Sequence, residues 1–449
     1  MAAESPLCMN YFWTWDHRCN WVLDEIGLQT EGDRNPYIKV SETFVEDYRR
    51  VTDFCAAEGI GGIAIYGFLR DSHGGIESAR EVARYAASKG VRILPGLGTT
   101  AFGGVYYRGR HEFNLETFLE RHPGCAQVQK DGTASAHGLC PTHPDVVRWM
   151  EEGAQWLMET FEIGGVNVEN GDFQRCYCER CEGLSMEARA GEPEFFQQQL
   201  HGYLPTLQAL KPHMREKWVQ YATYTGFAPG EIRDDMPFMT GLMGAETPAF
   251  VSAFPEDAVC QWTVTGMVRE KPLPLTAYLD CGAPDDAYDN PRWPKGLRAP
   301  TAHSTGYLHS GGVGGRYGFY VSTIKEACLR SAESGLEGLS IYGEMTPRYV
   351  PWWLHYQAFA HFTRHPDDDL RGFARARLAP VLGEEPAQVF VECLAKWDAG
   401  THTEGDLKRL CAACDGLSIT REAWPVVMIW QWLIRVMRDG PEPVTRSFF

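Results

Sequence analysis

Through residue 350 the chain alternates short apolar runs with longer stretches whose apolar positions recur every three to four residues. That alternation predicts βαβ units around a parallel sheet. The strand-like runs are Met9 to Trp15, Gly62 to Tyr66, Arg92 to Leu97, Gly164 to Glu169, Lys217 to Thr223, Ala258 to Val264, Thr305 to His309 and Gly338 to Glu344. A helix is expected over Val40 to Glu58, with Ser41 as its cap, and another from about Ile76 to Lys89, where Gly90 stops it. Residues 111–145 read as one long connection, and 270–303, rich in Pro, Asp and Gly, as a loop excursion. Eight strands in this rhythm predict an α/β fold, a (β/α)8 TIM barrel. After Pro351 the pattern turns helical: Trp352, Trp353, Tyr356, Phe359 and Phe362 recur near helical spacing, and Glu422 to Arg438 carries Trp424, Trp430 and Trp432. These aromatics read as core. The expected organisation is a catalytic barrel over 1–350 and a C-terminal α-helical domain over 351–449 packed upon it.

Composition narrows the partners. The 449 residues carry a net charge of -17, which argues against nucleic acid or an anionic membrane surface, since both attract a basic footprint. No apolar run approaches the length needed to cross a bilayer. The first residues lack a basic region followed by an apolar core, so a cytoplasmic location is expected unless a signal has been removed. Fourteen cysteines are scattered apart from 176/178/181 and 411/414, which suits reduced thiols rather than a disulfide scaffold.

Two glutamates stand where barrels keep their chemistry. Glu169 closes the fourth strand-like run and Glu344 the eighth, and in an eight-stranded barrel those strands lie opposite each other. Asn167 shares parity with Glu169, and Ser340 and Tyr342 share parity with Glu344, so each carboxylate can face inward. Paired carboxylates flanking a bond are what glycoside hydrolysis needs: one protonates the leaving oxygen, the other stabilises or attacks the oxocarbenium-like centre. Around them, Tyr11-Phe-Trp13-Thr-Trp15-Asp16-His17 reads as a sugar-binding rim, aromatic faces stacking on sugar C–H surfaces and charged tips meeting hydroxyls. Arg70, with Asp71 and His73, follows the second run, His309 ends the seventh, and Asp172 lies three residues beyond Glu169, placed to orient substrate or to cap the next segment. Gly311-Gly-Val-Gly-Gly315 is neither a P-loop nor a full dinucleotide fingerprint, and neither G-x-S-x-G nor H-E-x-x-H occurs.

Cys176-x-Cys178-x-x-Cys181 supplies three thiolates at metal-ligand spacing, and Cys140 can approach as a fourth, a set suited to structural zinc. A disulfide or unligated thiols stand beside that reading. Cys411 and Cys414 read as packing residues.

The order of these features resembles a glycoside-hydrolase-like TIM-barrel family related to β-hexosaminidases and α-glucuronidases. The residues that carry the resemblance are Gly138-Leu-Cys140-Pro-Thr-His143-Pro before the fourth strand, the acidic tip at Glu169, the Cys-x-Cys-x-x-Cys run, and a tail with Tyr356-x-x-Phe359, His365-Pro366 and Ala379-Pro-Val-Leu-Gly383. The resemblance implies a hydrolase acting on carbohydrate, in carbohydrate metabolism or polysaccharide degradation. Hexosaminidase relatives place an Asp-Glu pair at the strand-4 tip. Here the tip reads Val168-Glu169-Asn170, so Glu169 inherits the acid role, the acetamido-assisting Asp is absent, and Glu344 becomes the second carboxylate, as nucleophile or base. The expectation is an O-glycosidase without a catalytic cofactor, with carbohydrate as partner and self-association into a homo-oligomer as a further option. Two other classes remain open: a non-hydrolytic carbohydrate-binding barrel, and a sugar lyase or isomerase using His17 or His309 as base. A Glu344 buried beneath the helical region would favour those.

Overall fold

The computed structural model describes residues 7–19, 21–22, 39–169, 175–186, 195–223, 254–263, 303–308, 321–333, 335–347, 350–418, 420–421 and 423–439. Eight parallel strands close into a barrel: β1 (Tyr11–Trp15), β2 (Gly62–Tyr66), β3 (Arg92–Gly98), β6 (Gly165–Glu169), β7 (Trp218–Thr223), β8 (Val259–Thr263), β9 (His303–Leu308) and β10 (Gly338–Tyr342). Each neighbours the next, and β1 pairs with both β2 and β10. Between β3 and β6 the chain adds a hairpin outside the barrel, β4 (Ala126–Val128) and β5 (Ala134–Leu139).

Strand alternation sorts the side chains into two layers. Tyr11 and Trp218 meet across the barrel axis with ring centroids 6.4 Å apart, while Phe12 points outward onto Tyr356 (4.6 Å), Phe54 (6.1 Å) and Phe359 (6.4 Å). The outer layer is held by α1 (Ser41–Glu58), α2 (Gly75–Ser88), α3 (Leu115–Arg121), α4 (Pro144–Thr160), α5 (Glu179–Met186), α6 (Phe195–Leu210), α7 (Val321–Glu333) and α8 (Val350–Phe362). In α1 the expected cap differs. Val40 occupies the N-cap, and the Ser41 hydroxyl instead pairs with Ser78 on α2 (2.7 Å).

Inside the barrel one layer is polar where branched apolar side chains usually dominate. The Tyr66 hydroxyl donates to Asn167 Oδ1 (2.6 Å), and Asn167 Nδ2 donates to Gln220 Oε1 (2.8 Å) and Gln261 Oε1 (2.6 Å). These bonds satisfy the Asn167 side chain and join β2, β6, β7 and β8 directly beneath the strand tips. Burying such a network unsatisfied is costly, so it fixes the register of β6.

The segment 111–145, expected as one connection, contains α3 and the β4–β5 hairpin. The boundary expected at 350 also falls differently. α8 lies between α7 and α1 as the barrel's own eighth helix: its Tyr356 and Phe359 cover Phe12 from outside, and its Gln357 donates to Glu58 at the end of α1 (2.8 Å). The appended part begins later, with α9 (Leu370–Phe373), α10 (Ala379–Leu382), α11 (Glu384–Asp398), α12 (Glu404–Asp415) and α13 (Trp424–Asp439). It is tied back by Arg377, which reaches the same Glu58 (2.7 Å), and by α13 packing on α8. Trp352 and Trp430 are fully buried, as core aromatics should be, whereas Trp424 is half exposed. No helix among the described residues is long and apolar enough to cross a membrane.

Candidate active site

The C-terminal ends of the strands are where side chains from different elements can converge on one ligand. β1 ends there with Trp15, and the turn that follows carries Asp16, His17 and Arg18. Asp16 is only 1 % exposed, yet it is surrounded by basic side chains. Arg70 Nε and Nη2 donate to its two oxygens (2.8 and 3.0 Å), His17 Nδ1 lies 3.3 Å from Oδ1, and His73 Nε2 lies 3.4 Å from Oδ2. Burial alone would raise this carboxyl. The hydrogen bonds from His17 and His73 and the charge of Arg70 outweigh it and hold Asp16 well below the usual carboxylate range. His73 Nε2 also lies 2.9 Å from Gly67 O; both neighbours are acceptors, so Nε2 carries the proton. The His73 ring is held flat against Phe44 (3.7 Å, 3°).

The turn after β2 makes room for Asp16 by having no side chain. Gly67 sits at φ +81°, and a Cβ there would fall 2.1 Å from Asp16 Oδ1. Asp16, expected as a rim residue meeting sugar hydroxyls, is thus committed to internal partners, and Arg70 and His17 are the polar groups that it presents. Asp71 serves the adjoining loop: it accepts from the Tyr106 hydroxyl (2.5 Å) and from Arg110 N–H (2.8 Å).

Glu344 stands two residues past β10. Gly343 N–H still continues the ladder to Trp13 O (2.9 Å), but the next N–H, that of Trp15, goes to Glu344 Oε1 (2.8 Å). The displaced Gly343 carbonyl accepts instead from the Trp21 indole (3.0 Å). The carboxylate is 8 % exposed, enclosed by the loop after β1 and by the Tyr356 side of α8. Burial pushes its proton affinity up, against the Arg18 charge and the Trp15 N–H, which favour ionisation. Glu169, the last residue of β6, is 7 % exposed and shares the inward parity of Asn167 two residues below.

Three half-buried rings, Trp15, Tyr107 and Phe102, line the mouth. The Trp15 ring centroid lies 5.8 Å from Tyr107 and 6.4 Å from Phe102, and Tyr66 lies beneath it at 5.0 Å. Arg70 stacks on Tyr107 (4.6 Å) while holding Asp16. Trp13 sits deeper, against Tyr66 (4.7 Å) and Tyr342 (5.3 Å). Phe102 has φ +52°, a left-handed conformation that a bulky side chain adopts only when its surroundings impose it, and such residues gather at functional sites. Neither Phe102 nor Tyr107 stands out in the sequence. The signal available is the Gly103-Gly104 pair beyond β3, where both glycines have positive φ. Asp172 and His309 lie outside the described residues.

Where the β4–β5 hairpin meets the segment 175–181, four sulfurs converge. Cys140, at the end of β5, meets Cys178 at 3.5 Å and Cys181 at 3.7 Å, and the Sγ atoms of Cys140, Cys176, Cys178 and Cys181 all lie within 4.8 Å of one another. Around one ion with Zn–S bonds of about 2.3 Å, tetrahedral sulfurs stand about 3.8 Å apart, so the set fits a single tetrahedral centre. Cys125, His143 and Asp145 also converge, but His143 Nδ1 accepts Asp145 N–H (3.2 Å) as the cap of α4.

The fold and this site together define a closed (β/α)8 barrel whose C-terminal face carries two buried carboxylates, an aspartate held by Arg70, His17 and His73, and an aromatic wall. No protein-family profile and no curated protein matches the chain. Among solved structures, a debranching enzyme from Nostoc punctiforme is similar at 10 % identity, covering 81 % of each chain with a TM-score of 0.47. A β-N-acetylhexosaminidase is similar at 9 % identity over 83 % of this chain and 75 % of that one, with a TM-score of 0.45. A maltogenic α-amylase from Thermotoga neapolitana is similar at 10 % identity over 81 % and 78 %, with a TM-score of 0.43.

Proposed function

We propose that the protein is a glycoside hydrolase whose carboxylate pair is Glu169 and Glu344. The observation that carries the reading is the position of Glu169 and Glu344 at the tips of opposite barrel strands, next to an aromatic wall; the burial of Glu344 beside Tyr356 of the helical region counts instead for the non-hydrolytic, lyase or isomerase readings. Hydrolysis needs a proton for the leaving oxygen and a carboxylate for the positive charge that develops at the anomeric carbon. Trp15, Phe102 and Tyr107 offer ring faces for sugar C–H surfaces, with Trp13 beneath them. Arg70 and His17 are the polar groups for hydroxyls, and Asp16 fixes both. The Asn167–Gln220–Gln261 layer holds β6, and so Glu169, in register.

In the first assignment of roles Glu169 is the acid and Glu344 the nucleophile or base. A second is favoured by one observation: burial raises the proton affinity of Glu344, which suits the carboxyl that must arrive protonated. Glu344 would then be the acid and Glu169 the base or nucleophile. Chemical rescue separates the two. A Gln variant of the acid keeps activity on aryl glycosides with good leaving groups, which need no proton. A Gln variant of the nucleophile or base recovers activity when azide is added, and yields a glycosyl azide. Both patterns on Glu169→Gln and Glu344→Gln, one each, support the pair. Near-wild-type turnover of the natural linkage in either variant, without added azide, removes that residue from the mechanism.

A further inference from the structure

The geometry points to a mononuclear zinc centre at Cys140, Cys176, Cys178 and Cys181, whose ion clamps the β4–β5 hairpin to the segment that leaves Glu169. The four thiols come from two places in the chain, the end of the hairpin and the residues just beyond β6, and all but Cys178 are fully buried. Their spacing decides what they can hold. Disulfide formation needs an S–S distance of about 2.05 Å, whereas Cys140 Sγ stands 3.5 Å from Cys178 Sγ and 3.7 Å from Cys181 Sγ, near the tetrahedral edge of one Zn–thiolate centre. A compact set of four sulfurs within 4.8 Å leaves room for one ion rather than a multi-iron cluster.

The surroundings suit thiolates. Val128 N–H points at Cys176 Sγ (3.4 Å), and the Thr142 hydroxyl lies 3.2 Å from Cys181 Sγ and 3.4 Å from Cys140 Sγ, where its one proton can serve either sulfur, so two donors are aimed at the cluster. Backbone bonds reinforce the same junction. Tyr177 N–H donates to Val128 O (2.9 Å), adding the cysteine segment to the hairpin, and Cys140 N–H donates to Cys125 O (2.9 Å). Gln198 of α6 closes the far side with two bonds to the Cys176 backbone (2.8 and 3.0 Å). No sulfur is left for an exchangeable ligand, so the centre is closed and structural, not catalytic. Its effect is local: it anchors the chain seven residues after Glu169.

The test uses the full chain purified without chelator. Elemental analysis should give about one zinc per chain. Cobalt substitution should give the visible bands of a tetrahedral tetrathiolate. Cys140→Ser and Cys178→Ser should each lose the metal and the cobalt spectrum, while Cys411→Ser, in α12, should retain both. Because a ligand variant can fail to fold, wild-type protein is also titrated with a thiol-specific mercurial in the presence of a zinc-sensitive dye. Zinc should be released as the cluster thiols react. Protein without zinc, whether its four thiols are free or oxidised, would overturn the inference, as would iron in place of zinc or retention of the metal by both ligand variants.

Discussion

Replacing Asp16 by Asn should expose how much of the mouth rests on one buried charge. Asn keeps the shape and removes the carboxylate that receives two bonds from Arg70 and faces His17 and His73. Breaking a buried ion pair from one side typically costs about 3–5 kcal/mol, because the remaining charge stays desolvated. Arg70 retains 13 % side-chain exposure and a place on Tyr107, so it can turn partly to water, and the lower end, about 3 kcal/mol, is expected. That is a large fraction of the roughly 5–15 kcal/mol that holds a domain together. The assay is urea unfolding at neutral pH of wild type, Asp16→Asn, Arg70→Met and the double variant. The double variant should be more stable than the sum of the two single losses predicts, by more than about 1 kcal/mol, since removing both partners leaves no orphan charge. The pH dependence has a definite sign. The Asp16 carboxyl is held below its unfolded value of about 3.9, so its stabilisation is present above that pH and is lost as the pH falls below it. Wild type should therefore lose the advantage over Asp16→Asn in acid. A single variant within about 0.5 kcal/mol of wild type, or strict additivity in the cycle, would mean that Asp16 and Arg70 are not a coupled buried pair.

Two further outcomes follow from the same geometry. The Glu344 carboxyl titrates above its unfolded value of about 4.3, so its effect on stability is favourable below that pH and is lost as the pH rises through the folded value; Glu344→Gln should flatten this decline in a pH series of unfolding midpoints, and an unchanged series would contradict it. A chain ending near 350 should be insoluble, because it lacks α8 and leaves Phe12 and Phe54 uncovered; large aromatics lose on the order of 1.5–3 kcal/mol each when exposed, and soluble, folded 1–350 protein would show that α8 is dispensable.

Much of this architecture is legible in the sequence because barrel strands advertise themselves. Each combines a short apolar run with a polar tip, and all eight expected runs correspond to strands. The opposition of Glu169 and Glu344 follows from counting strands. Short elements are less visible: β4 has three residues and α3 seven, too few for either period to emerge from 111–145. In the sequence α8 merges with the tail, because periodicity reports that a helix exists, not which layer it joins. Asp16 reads there as a rim residue meeting sugar hydroxyls, and only the chain crossing that brings Arg70 and His73 to it reveals a buried hub. The polar floor does leave a trace, since Gln220 and Gln261 interrupt strands that are otherwise apolar. Phe102 and Tyr107 leave little, as their use depends on loop geometry after β3.

The measurement that bears most directly on the central claim is product release from a panel of aryl glycosides and oligosaccharides by wild type, Glu169→Gln and Glu344→Gln, with folding of each variant checked by unfolding midpoint. Wild type should release new reducing ends from at least one member of the panel. Each variant should lose about 10²–10⁴-fold in kcat on its natural linkage, the usual contribution of a positioned acid or base, while remaining folded. Near-wild-type turnover of the natural linkage by either folded variant, or a wild-type protein that cleaves no glycosidic bond in a broad panel, would contradict the proposed pair of glutamates.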